Sequence, residues 1–127
     1  MNSEGLVEPF ARKLSLDRGG EKGPQNVSAE ELGGRTGKDP IPVGMVLFTR
    51  FDENAEWTPE ELTAGEAIMA LIPNTLTMRK NPAFALKVLD LAAQRAIILK
   101  SLRGDAKTFA QFLLDFFDKN TKLAKMT

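Results

Sequence analysis

The sequence contains no cysteine, no histidine and no tyrosine among its 127 residues. Without cysteine, the chain has no disulfide, no thiol nucleophile and no thiolate ligand for a metal. Without histidine, it lacks the commonest general base and metal ligand of proteins. These absences disfavour a metalloenzyme or a nucleophilic hydrolase. We therefore expect a protein without catalytic residues, cofactor or metal.

The chain also lacks a net charge, because 17 basic side chains balance 17 acidic ones. A protein without an overall field has no general attraction for nucleic acid or for a membrane. The charge is nevertheless uneven. Residues 43–76 hold one basic and six acidic side chains, whereas residues 77–127 hold ten basic and four acidic ones. Solvated helix faces of opposite sign explain this pattern most simply, and an acidic segment meeting a basic segment of another copy is the alternative.

No hydrophobic run is long enough to indicate a membrane span. The most apolar stretch, residues 83–102, is interrupted by Lys87, Asp90, Arg95 and Lys100. Charges at these intervals are typical of a buried helix and not of a helix in lipid. The first residues also show no apolar core of a signal peptide. We therefore expect no membrane contact and a cytoplasmic location.

Glycine is rare in one part of the chain and frequent in the other. Eight of the ten glycines lie at or before Gly44, and apolar-periodic segments follow. Glycine-rich composition favours loops, whereas apolar periodicity favours packed elements. The sequence therefore predicts two regions, a flexible arm over residues 1–42 and a helical body over residues 43–127.

The start of the arm has the spacing of an amphipathic helix. Leu6, Phe10 and Leu14 recur at helical intervals within residues 3–16, with polar residues between them. An isolated helix of this length is marginal in water, so it needs a surface to dock on. That surface is either the chain's own body or a partner, with disorder of the segment as the third alternative, and we expect these three residues to make the contact.

The remainder of the arm, residues 17–42, has the composition of a linker. Ser28 and Glu31 interrupt it with the spacing of a capping box. This spacing predicts one helical turn that ends at Gly33.

Three signals for helix starts lie in the body. Thr58 precedes Pro59 in the manner of an N-cap, Asn81 precedes a second proline, and Asp105 follows Gly104. The apolar periodicity after each signal extends the predicted helices. They cover residues 59–72, 82–102 and 106–122.

One segment of the body, residues 43–51, is β-branched and aromatic and is bounded by turn formers. It is the single strand candidate, and it has no evident ladder partner in an otherwise helical chain. We interpret it as an extended segment laid across the helices, with half of an intermolecular pair as the alternative. The predicted fold class is therefore all-α, a small three-helix body with one short extended segment and a flexible N-terminal arm.

Phenylalanine is concentrated in the last predicted helix, at Phe109, Phe112, Phe116 and Phe117. Such side chains bury large apolar areas, and together with Ala110, Leu113 and Leu114 they cover about half of the helix circumference. They fill either the chain's own core or a shared interface with a partner or a second copy. We take these four residues as the candidate partner-binding face of the body.

Basic residues in the final third support a different function. Lys119, Lys122 and Lys125 recur every three positions, and Arg79 and Lys80 precede the second helix. Cations near helix C-termini are favoured by the helix dipole, which is the simpler explanation. The alternative is a phosphate-contacting surface for nucleic acid, typical of a small viral or mobile-element protein.

Two further segments resemble ligand loops only superficially. Residues 33–39 lack the first glycine and the final hydroxyl residue of a phosphate loop, because Leu32 and Asp39 occupy those positions. Residues 52–63 begin like a calcium loop but have Trp57 where the loop requires glycine. We therefore assign neither nucleotide nor metal binding to them.

The sequence as a whole favours a non-catalytic interaction protein. We expect a small adaptor or accessory protein that acts through helix–helix contacts and self-associates, the commonest form being a homodimer. The partner is a protein or a second copy of the chain, and nucleic acid is the alternative partner.

Overall fold

The computed structural model describes residues 1–10 and 12–126, with side chains up to residue 120. Six strands come first along the described chain, followed by two helices, a seventh strand and a third helix, with short 3₁₀ turns between some of them. The strands are β1 (Leu6–Val7), β2 (Leu14–Leu16), β3 (Gln25–Val27), β4 (Ile41–Pro42), β5 (Met45–Phe51), β6 (Glu60–Glu61) and β7 (Ile97–Arg103). The helices are α1 (Ala64–Leu71), α2 (Pro82–Arg95) and α3 (Ala106–Met126).

Two seven-residue strands form the centre of the fold. β5 and β7 run parallel, in a register that places Met45 opposite Ile97. A parallel pair needs a crossover connection, and α1 and α2 supply it. β6 pairs with the other side of β7 in the antiparallel direction, with Glu60 opposite Lys100. The resulting sheet has the strand order β5-β7-β6.

The core lies between this sheet and the first two helices. Ala67 of α1, Ala93 of α2 and Ile98 of β7 form its centre, and Ala67 has no exposed surface. Small side chains at these positions let the helices approach each other and the sheet closely. Partly buried apolar residues complete the cluster: Val46, Phe48, Leu62, Ala64, Ile68 and Ala96.

The opposite face of the sheet is covered in part by the loop between β5 and β6. Leu99 and Ser101 alternate with Ile98 along β7 and therefore project from this second face, and both are buried. The backbone N–H of Thr58 donates to the Ser101 hydroxyl, which holds the loop between β5 and β6 against the sheet. α3 packs on the same loop through Trp57.

Residues 1–42 form two small antiparallel ladders. β1 pairs with β4, and β2 pairs with β3 in a hairpin. Gly5 is buried beside α2 with φ of +75°, and a Cβ built there would lie 3.0 Å from the Leu91 Cβ. Glycine therefore permits both the backbone conformation and the close approach. The first residues of the chain dock on its own second helix, while the division into arm and body stays a prediction.

The predicted all-α class is wrong, because the described residues form three sheets, one of them a mixed sheet of three strands. The predicted helix over 82–102 is wrong beyond Arg95. Ala96 has extended backbone, and the next seven residues are β7. The β-branched pair Ile97 and Ile98 favours a strand, and β5 supplies the ladder that stabilises it. The strand candidate at 43–51 is β5, but its interpretation as an extended segment laid across the helices without a ladder partner is wrong, because β7 of the same chain pairs with it.

The first body helix does not begin at Pro59 after a Thr58 cap as predicted, because Thr63 caps it instead. Glu60 and Glu61 form β6 instead of a first helical turn, and the Leu62 N–H donates to the Ile98 carbonyl. α1 begins after Thr63, which forms a capping box with Glu66. The segment after Pro59 therefore forms a strand that pairs with β7, and not the first turn of a helix.

Other local signals are confirmed. The Asn81 side chain accepts a hydrogen bond from the Phe84 N–H and begins α2, with Pro82 as its first residue. Ser28 and Glu31 exchange the two bonds of a capping box around a single 3₁₀ turn. These features depend on three or four neighbouring residues, and so they are visible in the sequence.

The described chain has three α-helices. None of them combines the length and the apolar character needed to cross a bilayer.

Candidate interaction surface

The start of α3 is held by a local cap. The Asp105 carboxylate accepts hydrogen bonds from the N–H and the hydroxyl of Thr108, at 3.0 and 3.2 Å. The bond from the Thr108 backbone is the main cause that lowers the pKa of Asp105 below its ordinary value. The predicted cap is confirmed, and it defines where α3 begins.

One stripe of α3 faces the body of the protein. Its half-buried members recur at helical spacing: Phe109, Leu113, Phe116 and Asn120. The Phe109 ring meets the Trp57 ring edge-on, with 5.1 Å between their centroids. This geometry is favoured by the ring quadrupoles, so the contact anchors the first half of the helix. This half-buried stripe is narrower than the apolar face of α3, so some apolar residues of the helix lie outside it.

Large apolar side chains flank this stripe and remain accessible. Phe112 is 50% exposed, Leu114 is 61% exposed and Phe117 is 37% exposed. The Phe117 ring passes close to Gly44, where a built Cβ would lie 3.1 Å from two ring atoms. The structure therefore brings all four predicted phenylalanines together on α3, two of them more than one third exposed.

The predicted arm residues do not form the helix that their spacing suggested. Leu6 is half-buried in β1 opposite Pro42, and Leu14 is exposed in β2. Phe10 lies between these strands with 71% of its surface exposed and an Arg12 guanidinium over its ring. The helix over 3–16 is wrong because residues 25–27 and 41–42 offer ladder partners that a short isolated helix lacks. Their role in partner contact stays a prediction.

The predicted basic residues lie on different elements. Arg79 ends the 3₁₀ turn before α2, and Lys80 follows it. Lys119 is exposed on α3. The side chains of Lys122 and Lys125 lie outside the described residues. Phosphate contact by these five residues stays a prediction.

The structure reveals a groove that sequence reasoning missed. A cavity of about 480 Å³ opens where β5 and β7 end, and its lining mixes apolar and charged side chains. Phe48, Lys100 and Glu60 form one row across the three strands, with Arg50 and Leu102 beyond it. Such a lining suits contact with an amphipathic chain segment. The sequence did not indicate this groove, because β7 was predicted to be part of a helix and no sheet was expected there.

Three of the four carboxylates with lowered pKa values, Glu31, Glu66 and Asp105, cap a helix or a turn, whereas Glu30 accepts hydrogen bonds from the N–H and the hydroxyl of Thr36. The Glu66 pKa is lowered chiefly by the Thr63 N–H, and the Glu31 pKa is lowered chiefly by the Ser28 N–H. Each stabilises a helix or turn start by accepting backbone hydrogen bonds. Among the described residues, no group of three or more acidic side chains is placed to hold a metal ion.

The protein exposes an unusually large surface for its mass. Its accessible surface is 9973 Å² at 14.0 kDa. A compact monomer of this mass exposes roughly 6,700 Å². None of the larger side chains in the described chain is completely buried. Exposed apolar side chains contribute to this surface, among them Leu76 at 86%, Phe10 at 71% and Met69 at 70% exposed.

Comparisons with family models, with curated proteins and with solved structures gave no match to this chain.

Proposed function

We propose that this chain is a non-catalytic interaction protein, an adaptor or accessory subunit that binds through apolar helix contacts and self-associates. The observation that carries the proposal is the excess of accessible surface over that of a compact monomer. Subunits of obligate complexes have such surface because their partners complete the core.

The flanks of α3 are the proposed contact for a helical partner. Phe112 and Leu114 leave half or more of their surface to solvent in the isolated chain. Large apolar side chains on one helix are the anchors of helix-in-groove recognition. Phe112 and Leu114 are two positions apart and project about 160° from each other, on opposite flanks of α3. A partner helix laid beside α3 would therefore cover one of them without any change in the fold.

The proposal includes a cytoplasmic location. A chain without cysteine needs no oxidising compartment to complete its fold. This argument is one of compatibility, and localisation of a tagged full-length chain in its native host tests it.

The test of the proposal is sedimentation velocity of the full-length chain over a wide concentration range, at low and at high salt. We expect association that holds or strengthens at high salt, since apolar contacts do not depend on counterions. An absorbance ratio at 260 and 280 nm that collapses after a high-salt wash would instead support the nucleic-acid alternative. A chain that stays monomeric throughout contradicts self-association.

A matched pair of variants tests the contribution of α3. Phe112→Ser removes an exposed apolar side chain, whereas Gln111→Ser changes a polar residue on the far side of the helix. We expect the first to weaken association about tenfold or more and the second to leave it unchanged. Equal association of both variants would remove α3 from the contact.

A further inference from the structure

The two edges of the central sheet differ in length and in charge. β6 has two residues, and both are glutamates. β5 has seven residues, with Arg50 as its single charge and without glycine or proline. Short length and charged side chains protect a sheet edge from pairing with another chain. The β6 edge has this protection, and the β5 edge does not.

The hydrogen bonds at the two ends of β5 define which backbone groups point outward. The Ile97 N–H donates to the Gly44 carbonyl, and the Asp52 N–H donates to the Arg103 carbonyl, both at 3.0 Å. In a parallel ladder, residues that bond to the neighbouring strand alternate with residues that point away from it. Even-numbered residues of β5 therefore bond to β7. The outward residues are Met45, Leu47, Thr49 and Phe51.

These outward groups form a regular row. Each of the four residues has one N–H and one C=O directed away from β7, and β7 is the only strand paired with β5 in the described chain. The second half of the strand is the more accessible, since Thr49, Arg50 and Phe51 are all exposed. Backbone groups in such a row bind water or another strand. The row is therefore a template for strand addition.

We propose that two copies of this chain pair through their β5 edges, antiparallel about a two-fold axis at Phe48, and join their sheets into one of six strands. The inference rests on the self-association proposed above and adds the β5 edge to the α3 flanks as a second contact surface.

The alternation of inward and outward backbone groups along β5 supports this register. Antiparallel pairing about Phe48 places Met45 opposite Phe51 of the second copy and Leu47 opposite Thr49. Each outward residue then faces another outward residue, so every outward N–H and C=O of the strand gains a partner. An axis moved by half a residue would set outward groups against groups already bonded to β7. An axis moved by a whole residue would leave one end of each strand unpaired.

The side chains of β5 are compatible with a second copy. On one face, Leu47 would lie beside Thr49 and Met45 beside Phe51, which is 58% exposed in the single chain. On the other face, the two Phe48 rings would meet at the axis, and Arg50 would lie opposite Val46. Apolar cross-strand neighbours stabilise such pairs, and like charges do not oppose each other.

The exposed surface is sufficient for such a dimer. A standard interface removes roughly 800 Å² from each partner. The chain exposes 9973 Å², which exceeds the compact-monomer value by several times that amount, at roughly 3,000 Å². Pairing of one edge, with the flanking side chains it covers, therefore fits within the available surface.

The first experiment is sedimentation of the full-length chain and two variants at residue 49. Thr49→Pro removes one outward N–H and leaves the bonds to β7 in place, because residue 49 does not donate to β7. Thr49→Val keeps the N–H and the side-chain shape. We expect Thr49→Val to dimerise like the wild type. We expect the dissociation constant of Thr49→Pro to rise about a hundredfold, since each dimer loses two symmetry-related bonds.

Hydrogen exchange of individual amides in the wild-type chain is a second test, which does not depend on the folding of the proline variant. We expect the amides of Leu47, Thr49 and Phe51 to be protected at high concentration and to lose protection on dilution. The amides of Phe48 and Arg50, which bond to β7, should be protected at both concentrations.

Three outcomes would overturn the inference. The first is a proline variant that folds and dimerises like the wild type. The second is a wild-type dimer whose outward amides exchange rapidly, which leaves self-association standing but moves it to another surface such as α3. The third is a wild-type chain that stays monomeric at every concentration, which rejects self-association as well.

Discussion

Two helices of this protein, α2 and α3, are both rich in apolar residues but have opposite environments. α2 buries Ala85, Val88, Leu89, Ala92 and Ala93 against α1 and the sheet. α3 has larger apolar residues, and none of its described side chains is fully buried. Small residues permit close packing, whereas large residues need a broad surface to cover them. The difference shows that the available neighbouring surface, and not hydrophobicity, decides burial here.

The largest effect is expected when a leucine side chain is removed from the buried helix α2. Leu89 of α2 is 3% exposed. We expect Leu89→Ala to lower the free energy of unfolding by about 2–5 kcal/mol, through lost burial and a residual cavity. Chemical denaturation followed by circular dichroism measures it. A loss of less than 1 kcal/mol, on the order of a surface change, would mean that α2 packs more loosely than its burial indicates.

A smaller effect is expected from adding volume to the same helix. Ala93 contacts Ala67 and Ile98 in the core. We expect Ala93→Leu to cost about 1–3 kcal/mol, because the helices must separate to admit the larger side chain. The matched control is Ala110→Leu on α3, where the position is exposed and leucine is a good helix former. If both variants unfold at the same denaturant concentration, the claim of close packing around α2 is wrong.

The same contrast explains what could be predicted from the sequence. Caps at Ser28, Asn81 and Asp105 were predictable because a cap involves only neighbouring residues. The boundary between α2 and β7 was not predictable, since β7 is stabilised by β5, which is distant in the chain. Apolar periodicity cannot separate a buried helix from a helix followed by a buried strand.

The candidate site was predictable to a similar extent. Helical spacing placed Phe109, Phe112, Phe116 and Phe117 on one helix, which the structure confirms. Which of them is covered depends on Trp57 and Gly44, and these contacts arise only in the folded chain. The free edge of β5 was hidden for the same reason, because an edge is defined only when the partner strand is known.

The cap of α3 gives a prediction that depends on pH. The Asp105 pKa is lowered in the folded chain, mainly by the Thr108 N–H, from an ordinary value of 3.8. A group with a lowered folded pKa stabilises the fold above its unfolded pKa, and this contribution is lost as the pH falls through the folded value. We expect Asp105→Ala to melt a few degrees below the wild type at neutral pH, and the difference should shrink below about pH 3.8.

Asparagine at the same position separates the cap from its charge. Asn also accepts the Thr108 hydrogen bond, so Asp105→Asn should retain most of the thermal stability and lose the pH dependence. Thermal scans across an acidic pH series compare the three proteins. An Asp105→Ala variant that melts with the wild type at every pH would show that α3 does not unfold together with the core.

The smallest change in the free energy of unfolding is expected on the exposed side of α3. Leu114 is 61% exposed, so Leu114→Ala removes little buried area and should change the free energy of unfolding of the monomer by less than about 0.5 kcal/mol. Measured at low protein concentration, it is the direct counterpart of Leu89→Ala. A loss of several kcal/mol would mean that α3 is already covered in solution. Because the described part of the chain leaves Leu114 mostly exposed, that cover would come from a second copy, and the loss should then increase with protein concentration.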